Sequence, residues 1–373
     1  MHIDNTAAWL SSRLASLSVG PAPYTPPAAG EILIRTRAIA VNPVDWIIQL
    51  AGNVLYPWLK VPCIIGEDVA GDVVEVGAGV TRFGVGDRVF GLAVGTDRDV
   101  NSAARGAFQS FVLLSAALAS PLPDSMSFED AAVIPLGVAT AAAALFQRDH
   151  LGLRRPVIGP DPTGETVLIW GGSTSVGTNA IQLAVAAGYE VVTTASPANH
   201  PYLKALGAAQ VFDYASPTVA QDIVDVFHGR SLAGALAIGE GSADRCIEIF
   251  SRCEGNRFIS TTSTPVSFSS LGDPSRSALR LPALLFRIAA GTLAFRIRCR
   301  LKGIRTKAVF ATSIKRNDVS TALFTDFLPR ALAARTFTPA PPARIVGTGL
   351  DHLQKALDTQ RSGVSAQKIV VTL

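Results

Sequence analysis

Apolar positions along the chain follow two rhythms. From Glu31 to Val112 they come in short runs broken at glycines, as in Glu31-Ile-Leu-Ile-Arg-Thr-Arg-Ala-Ile-Ala-Val41, Val73-Val-Glu-Val76 and Gly106-Ala-Phe-Gln-Ser-Phe-Val112. Short strands turning at glycine predict a compact, barrel-like all-β unit. From Gly164 onward, β-branched runs near Val167, Val191, Val211, Ala235 and Phe258 alternate with helical text, which predicts a parallel, doubly wound sheet. Ala-rich helical text from Phe128 to Phe146 marks the crossing between the two. At the edges, Met1 to Pro27 reads as a peripheral strand and loop, and Asn42-Pro-Val-Asp45-Trp46 as a turn into a short helix. Ala308–Thr312 reads as a further strand, Asn317 to Ala334 as a helix and Lys368–Leu373 as a closing strand.

One stretch organises the second unit. Thr166 to Trp170 is a buried strand, Gly171 to Ser175 a small-residue turn, and Val176, Ala180, Leu183, Ala184 and Ala187 form one helical face that Gly188 ends. Small residues before a helix N-terminus let backbone approach a pyrophosphate, whose charge meets free N–H groups and the helix dipole. The glycine fingerprint is half kept, with Gly171 and Gly177 outside and Ser173, Thr174 and Ser175 between, so alone it also fits an ordinary βα connection. The following strand adds weight. A site for the unphosphorylated coenzyme wants a carboxylate about 20 residues after the turn, and no acidic residue lies between Val191 and Phe212. Ser196, Asn199 and Lys204 supply hydroxyl, amide and cation there, which points to NADPH rather than NADH.

With 373 residues the chain exceeds the roughly 250–300 at which one core stops growing, so two domains are expected. No signal-like N-terminus and no charge-free apolar run of about 18 residues is present, which predicts a cytoplasmic protein without a membrane span. Cys63, Cys246, Cys253 and Cys299 form no Cys-x-x-Cys pair and read as buried thiols. The net charge of +4 conceals a basic segment, residues 274–307, with nine arginines and lysines and no acid. Because the excess is local, it gives no indication of nucleic-acid binding.

Asn42-Pro-Val-Asp45, Gly66-Glu-Asp-Val-Ala-Gly71, Val74-Glu-Val-Gly-Ala-Gly-Val80, Val85-Gly-Asp-Arg-Val89, Gly106-Ala-Phe-Gln-Ser, Gly171 to Gly177 and Gly363-Val-Ser-Ala-Gln-Lys368, in that order, resemble the medium-chain dehydrogenase/reductase superfamily. Within it the chain is similar to the zinc-independent fungal branch that holds stand-alone enoyl reductases and quinone-oxidoreductase-like proteins. The resemblance implies an α/β protein: a GroES-like catalytic domain over residues 1–137, completed by 326–373, around a Rossmann domain over 138–325 that carries the basic insertion, with the active site in the cleft. Zinc-dependent members have a cysteine where Asn42 stands and a His-Glu pair at Glu67-Asp68, and Val89 to Phe111 lacks the further cysteines, so no metal is expected. Glu67 and Asp68 remain available as oxygen ligands, but with so few soft ligands near they are expected to hydrogen-bond within the barrel.

Without a Lewis acid, the chemistry implied is hydride transfer to an acceptor already polarised, an enone, enoyl thioester or quinone. The resemblance places Thr140 at the nicotinamide and makes Tyr56 the proton-donor candidate, with Asn42 third in the catalytic set. A packing tyrosine and a helix hydroxyl bonded back to a carbonyl are the plain alternatives for Tyr56 and Thr140. Asp45, Gly171, Gly172, Ser173, Thr174, Ser175, Val176, Ser196, Asn199, Lys204, Tyr214, Thr261, Thr262, Val364 and Ser365 join Thr140 as cofactor contacts. Ile47 stands where relatives carry a lysine, which leaves a second reading open: a catalytically silent NADPH-binding partner of a biosynthetic enzyme. Carbonyl reduction is a variant of the first. His2, His150, His200, His228 and His352 show no ligand spacing and are expected in surface or loop positions, with an approach of His200 to the adenosine phosphate as the alternative for that residue. The basic segment suits a helix pair over the cleft, and reads as a lid or a docking face for an acidic carrier domain, as a membrane-surface helix, or as a solvated face. The small-molecule substrate is expected free or carrier-bound, and the chain as a monomer or homodimer.

Overall fold

The computed structural model describes residues 4–263 and 274–373, without the side chains of Asn53 and of 274–280, so Arg276 and Arg280 of the basic segment lie outside the described side chains. The first half holds β1 (Asn5–Leu10), β2 (Ser18–Ala22), β3 (Glu31–Ala40), α1 (Pro43–Leu55), β4 (Cys63–Ile64), β5 (Asp68–Val76), β6 (Arg88–Leu92), β7 (Phe111–Ser115), β8 (Ala119–Pro121), α2 (Phe128–Ala132) and α3 (Pro135–Phe146). The middle holds β9 (Glu165–Trp170), α4 (Ser175–Ala186), β10 (Glu190–Ala195), α5 (His200–Ala205), β11 (Gln210–Asp213), α6 (Val219–Val226), β12 (Ser231–Ala237), α7 (Ser242–Phe250), β13 (Phe258–Thr261), α8 (Pro274–Leu301) and β14 (Arg305–Ala308). After it come α9 (Asp318–Ser320), α10 (Leu328–Ala333), β15 (Ala343–Thr348), α11 (Leu353–Arg361) and β16 (Lys368–Thr372).

The glycine-punctuated strands form a seven-stranded sheet in the order β15-β16-β3-β5-β6-β8, with β7 also on β3, and a three-stranded sheet β2-β1-β4 beside it. Two register shifts bend β3 against β5, and Gly71 is required there because a Cβ would overlap the carbonyl oxygen of Arg35. β16 pairs antiparallel with β3, so the end of the chain completes the seven-stranded sheet begun in its first half. The middle of the chain makes a six-stranded parallel sheet, β11-β10-β9-β12-β13-β14. Numbered within itself, that order is 3-2-1-4-5-6, whose reversal beside β9 opens the dinucleotide crevice. Both predicted architectures are therefore present, and all four cysteines are free and buried.

Several local expectations are corrected. The strand expected over 308–312 lies at Arg305–Ala308, paired in parallel with Phe258–Thr261, and Ala311–Arg316 is a 3-10 turn. The helix expected over 317–334 contains a π-helical segment, Thr321–Phe327. Pro329 follows it, and the wider turn relieves the clash between its ring and the carbonyl four residues back. The basic segment folds as one long helix, α8, rather than a pair, because the inward stripe Leu281, Leu284, Ile288, Phe295 and Cys299 continues across Gly291. The helix α3, Pro135–Phe146, is buried in a core that also takes in residues of both sheets. Phe128–Phe146 is long and apolar enough to cross a membrane, but 72% of that window is buried inside the protein as a core element.

Candidate active site

A knot of buried polar groups joins the two domains. Asn42 precedes α1, with Pro43 opening the helix, and its backbone N–H donates to Asp45 Oδ2 at 2.8 Å. Its side-chain Nδ2 donates to Asp68 Oδ2 at 2.8 Å, while Leu136 N–H, at the start of α3, donates to Asp68 Oδ1 at 2.6 Å. Into the same knot comes Lys368, the first residue of β16, whose Nζ lies 2.9 Å from Asp68 Oδ2 and also donates to Asn42 Oδ1. At 3.5 Å it reaches Ser175 Oγ, the first residue of α4. One ammonium therefore ties the closing strand, the α1 turn and the cofactor helix together. Asn42, expected in the catalytic set, is buried with both ends of its amide engaged by Asp68 and Lys368. Asp45, expected against the cofactor, has no exposed surface, and its Oδ2 accepts from the Asn42 N–H. Burial raises its carboxyl to about 7, with the charge of Asp68 adding to the shift.

Tyr56 caps the C-terminus of α1, beyond a break at Gly52, where φ is +29°. Its ring meets Trp58 edge-on at a centroid distance of 5.4 Å, and Trp58 Nε1 donates to Thr96 O at 3.0 Å. Thr96 Oγ1 in turn donates to Glu67 Oε1 at 3.4 Å. Burial, then the negative charges of Asp45 and Asp68, hold the Glu67 carboxyl well above its ordinary range. Burial and then Glu67 and Asp45 likewise push the Tyr56 phenol above 10, so it stays protonated at neutral pH. Ile47 is half-buried against the core of the catalytic domain.

The cofactor turn is built for close approach. Gly171 adopts φ +89°, and its N–H donates to Thr194 Oγ1 at 3.1 Å. A Cβ on Gly172 would overlap Thr193 Oγ1, and one on Gly177 would overlap the Gly171 carbonyl oxygen. Thr174 caps α4 by accepting from Gly177 N at 3.0 Å. Ser173 and Thr174 lie at the surface of the turn, and the N–H groups of Ser175 and Val176 have no acceptor within the helix. At the end of β10, Asn199 Nδ2 donates to Ser196 Oγ and to Ser365 Oγ, each at 3.1 Å, so three expected contacts meet there, with Val364 adjoining. Lys204 is exposed on α5, and Tyr214 is exposed beyond β11. Thr261 and Thr262 close β13, where Thr262 N–H donates to Ala237 O at 3.1 Å.

On α3, Gly137 admits α4 so closely that a Cβ there would stand 2.6 Å from Ser175 Oγ. Thr140 lies about one turn further on. Its half-buried hydroxyl donates to Leu136 O at 2.7 Å. His2 lies outside the described residues, and His150 lies in the turn after α3 but is buried there, with Nδ1 at 3.1 Å from Ser260 Oγ. His200 turns Nε2 to the carbonyl of Ala195 at 3.1 Å. A surface hollow of about 370 Å³ beside Arg148, Asp149, Arg155 and Lys307 contains none of the expected site residues. Lys368 is a member of this knot to which the sequence reading assigned no role beyond the Gly363–Lys368 motif. Its signal was a lysine opening the apolar run Ile369-Val-Val371, where only a partnered cation can be buried.

Residues 28–124 match the family model of the alcohol dehydrogenase GroES-like domain. Over 371 residues, 99% of either chain, the protein is 52% identical to dehydrogenase pigH of Monascus ruber. The chain belongs to the medium-chain dehydrogenase/reductase superfamily, in its fungal branch. As a member of that superfamily it is an oxidoreductase, and its fold implies a nicotinamide cofactor, which the α4 turn fits. It is also 38% identical over 376 residues to trans-enoyl reductase himH of Aspergillus japonicus, covering 99% of this chain and 97% of that one. An alcohol dehydrogenase superfamily protein from Novosphingobium aromaticivorans shares the superfamily fold, with a TM-score of 0.75 at 23% identity over 99% of each chain.

Proposed function

We propose that the protein is an NADPH-dependent, zinc-independent reductase that delivers hydride to the activated double bond of an enone, enoyl thioester or quinone in fungal secondary metabolism. The reading rests chiefly on the Lys368 ammonium held between Asn42 and Asp68. At the positions that carry metal ligands in zinc-dependent relatives, an amide replaces a thiolate and both oxygens of Asp68 already accept hydrogen bonds. A divalent ion would have to displace an ammonium and neutral donors, a poor exchange for a metal that favours thiolate and imidazole. Among the described residues, no three His, Cys, Asp or Glu side chains group as ligands. Chemistry without a Lewis acid favours an acceptor that is polarised before it binds.

A bound nicotinamide dinucleotide would supply the hydride. The free N–H groups of Ser175 and Val176, at the positive end of α4, are placed to receive its pyrophosphate. Ser196, Asn199, Ser365 and the Lys204 ammonium offer donors to a 2′-phosphate, with no carboxylate between Val191 and Phe212 to repel it. Thr140, Tyr214, Thr261, Thr262 and Val364 complete the proposed contacts. Tyr56 keeps its proton at neutral pH, and in this reading passes it to the α-carbon or donates a hydrogen bond to the oxygen on which charge develops. Although Ile47 leaves α1 without a cation, Lys368 keeps one beside the cofactor helix, which favours an active enzyme over a silent partner. The test is NADPH consumption with enones, enoyl thioesters, quinones and aldehydes, with products identified. Saturation of the double bond is expected; turnover of aldehydes alone, or of nothing while NADPH binds tightly, would overturn the proposal.

A further inference from the structure

Helix α8 presents a surface that neither the fold nor the chemistry explains. Its inward stripe is used: Leu281 and Leu284 pack into the catalytic-domain core, and Phe295 and Cys299 into the Rossmann core. The opposite side carries a second apolar line. Phe286 is 74% exposed, Leu293 62%, Ile297 50% and Leu301 81%, with exposed Ala290 among them. At 3.6 residues per turn these five positions share one face, and Phe286 to Leu301 spans roughly 22 Å. Arg296 and Arg300 border one edge of the line, and Arg287 and Arg298 the other. Arg298 pairs with Asp244 at 2.6 Å. Arg287, Arg296, Arg300 and Lys302 are exposed with no ion-pair partner among the described residues. Residues 274–307 contain no acid, while the rest of the chain is net negative.

We infer that the outer face of α8 docks in the plane of an anionic lipid surface. A helix that lies in a membrane interface needs large apolar residues along one line, with cations on both flanks whose stems can snorkel back to the headgroups. α8 has both. Acidic groups on a protein partner would satisfy the arginines but would not account for the line of four large apolar side chains between them. The lipid surface satisfies both sets along the whole length of the helix.

The experiment is co-sedimentation of the full-length protein with vesicles of phosphatidylcholine alone or mixed with phosphatidylserine, at low and high salt. Binding is expected only with the anionic lipid, and should weaken as salt rises. The triple variant Arg296→Gln/Arg300→Gln/Lys302→Gln should weaken it about a hundredfold, from roughly fivefold per cation near the surface. Leu293→Gln/Ile297→Gln should also weaken it, and NADPH binding by either variant should match the parent. Equal binding to both vesicle types, or full binding by the variants, would overturn the inference. So would absence of vesicle binding together with a dimer that the same substitutions dissociate, since a second copy would then be what covers this face.

Discussion

Replacing Lys368 by Met removes the ammonium from the knot and leaves the Asp68 carboxylate, which has no exposed surface, with only Asn42 Nδ2 and the Leu136 N–H as donors. Breaking a buried pair from one side costs about 3–5 kcal/mol, because the remaining charge is uncompensated. We expect Lys368→Met to lose about 3 kcal/mol, read from denaturant and thermal unfolding. For a domain of this size the shift in Tm is roughly 6–12 °C. The companion variant Asp68→Asn strands the ammonium and should lose a similar amount. Combining the two removes both charges, so the double variant should recover at least about 2 kcal/mol relative to the sum of the singles. A loss under about 1 kcal/mol for Lys368→Met, or strict additivity in the cycle, would refute the view that this pair joins the domains.

Asp45 reaches about 7 from an ordinary 3.8, so the folded chain holds a proton there that the unfolded chain releases, and stability should fall as pH rises from about 4 to 7. Asp45→Asn, which keeps an acceptor for the Asn42 N–H, should flatten a pH–stability profile that otherwise drops by up to about 4 kcal/mol; an unchanged profile would count against a protonated Asp45. Tyr56→Phe should lower kcat for enone reduction by about a hundredfold or more while leaving NADPH affinity intact, whereas Ile47→Lys should leave turnover near the parent's. The reverse pattern in steady-state kinetics removes Tyr56 as the donor. Thr174→Ala deletes the acceptor for Gly177 N–H and should destabilise by about 1 kcal/mol, measured by thermal unfolding.

Where hydrophobic periodicity and turn chemistry agreed, the sequence was sufficient. The strand ending at Trp170, the glycines at 171 and 177 and the helical face beyond them read directly as the β9–α4 unit, because each feature serves one local geometry. The edge strand β14 was missed because Arg305-Thr-Lys-Ala308 has no apolar alternation, and only pairing with β13 makes it a strand. The basic segment read as a helix pair, but a helix packed along one side tolerates Gly291, whose cost is about 1 kcal/mol, and α8 runs through it. The site was legible where backbone sets it, at the cofactor turn, and opaque where distant side chains meet. No local pattern indicates that Lys368, 326 positions after Asn42, shares a carboxylate with it, or that Asp45 faces the interior. The burial of His150 against Ser260 is the same kind of long-range fact.

The most direct test of the central claim is the rate of enone or enoyl-thioester reduction by chelator-treated, metal-analysed protein, supplied in parallel with NADPH and NADH. Undiminished turnover at negligible metal content, with NADPH at least about tenfold the better coenzyme, is the predicted result, since a 2′-phosphate engaged by Lys204 and its neighbours contributes more than about 1.4 kcal/mol. Turnover that vanishes with the chelator and returns with zinc, or a preference for NADH, would contradict it.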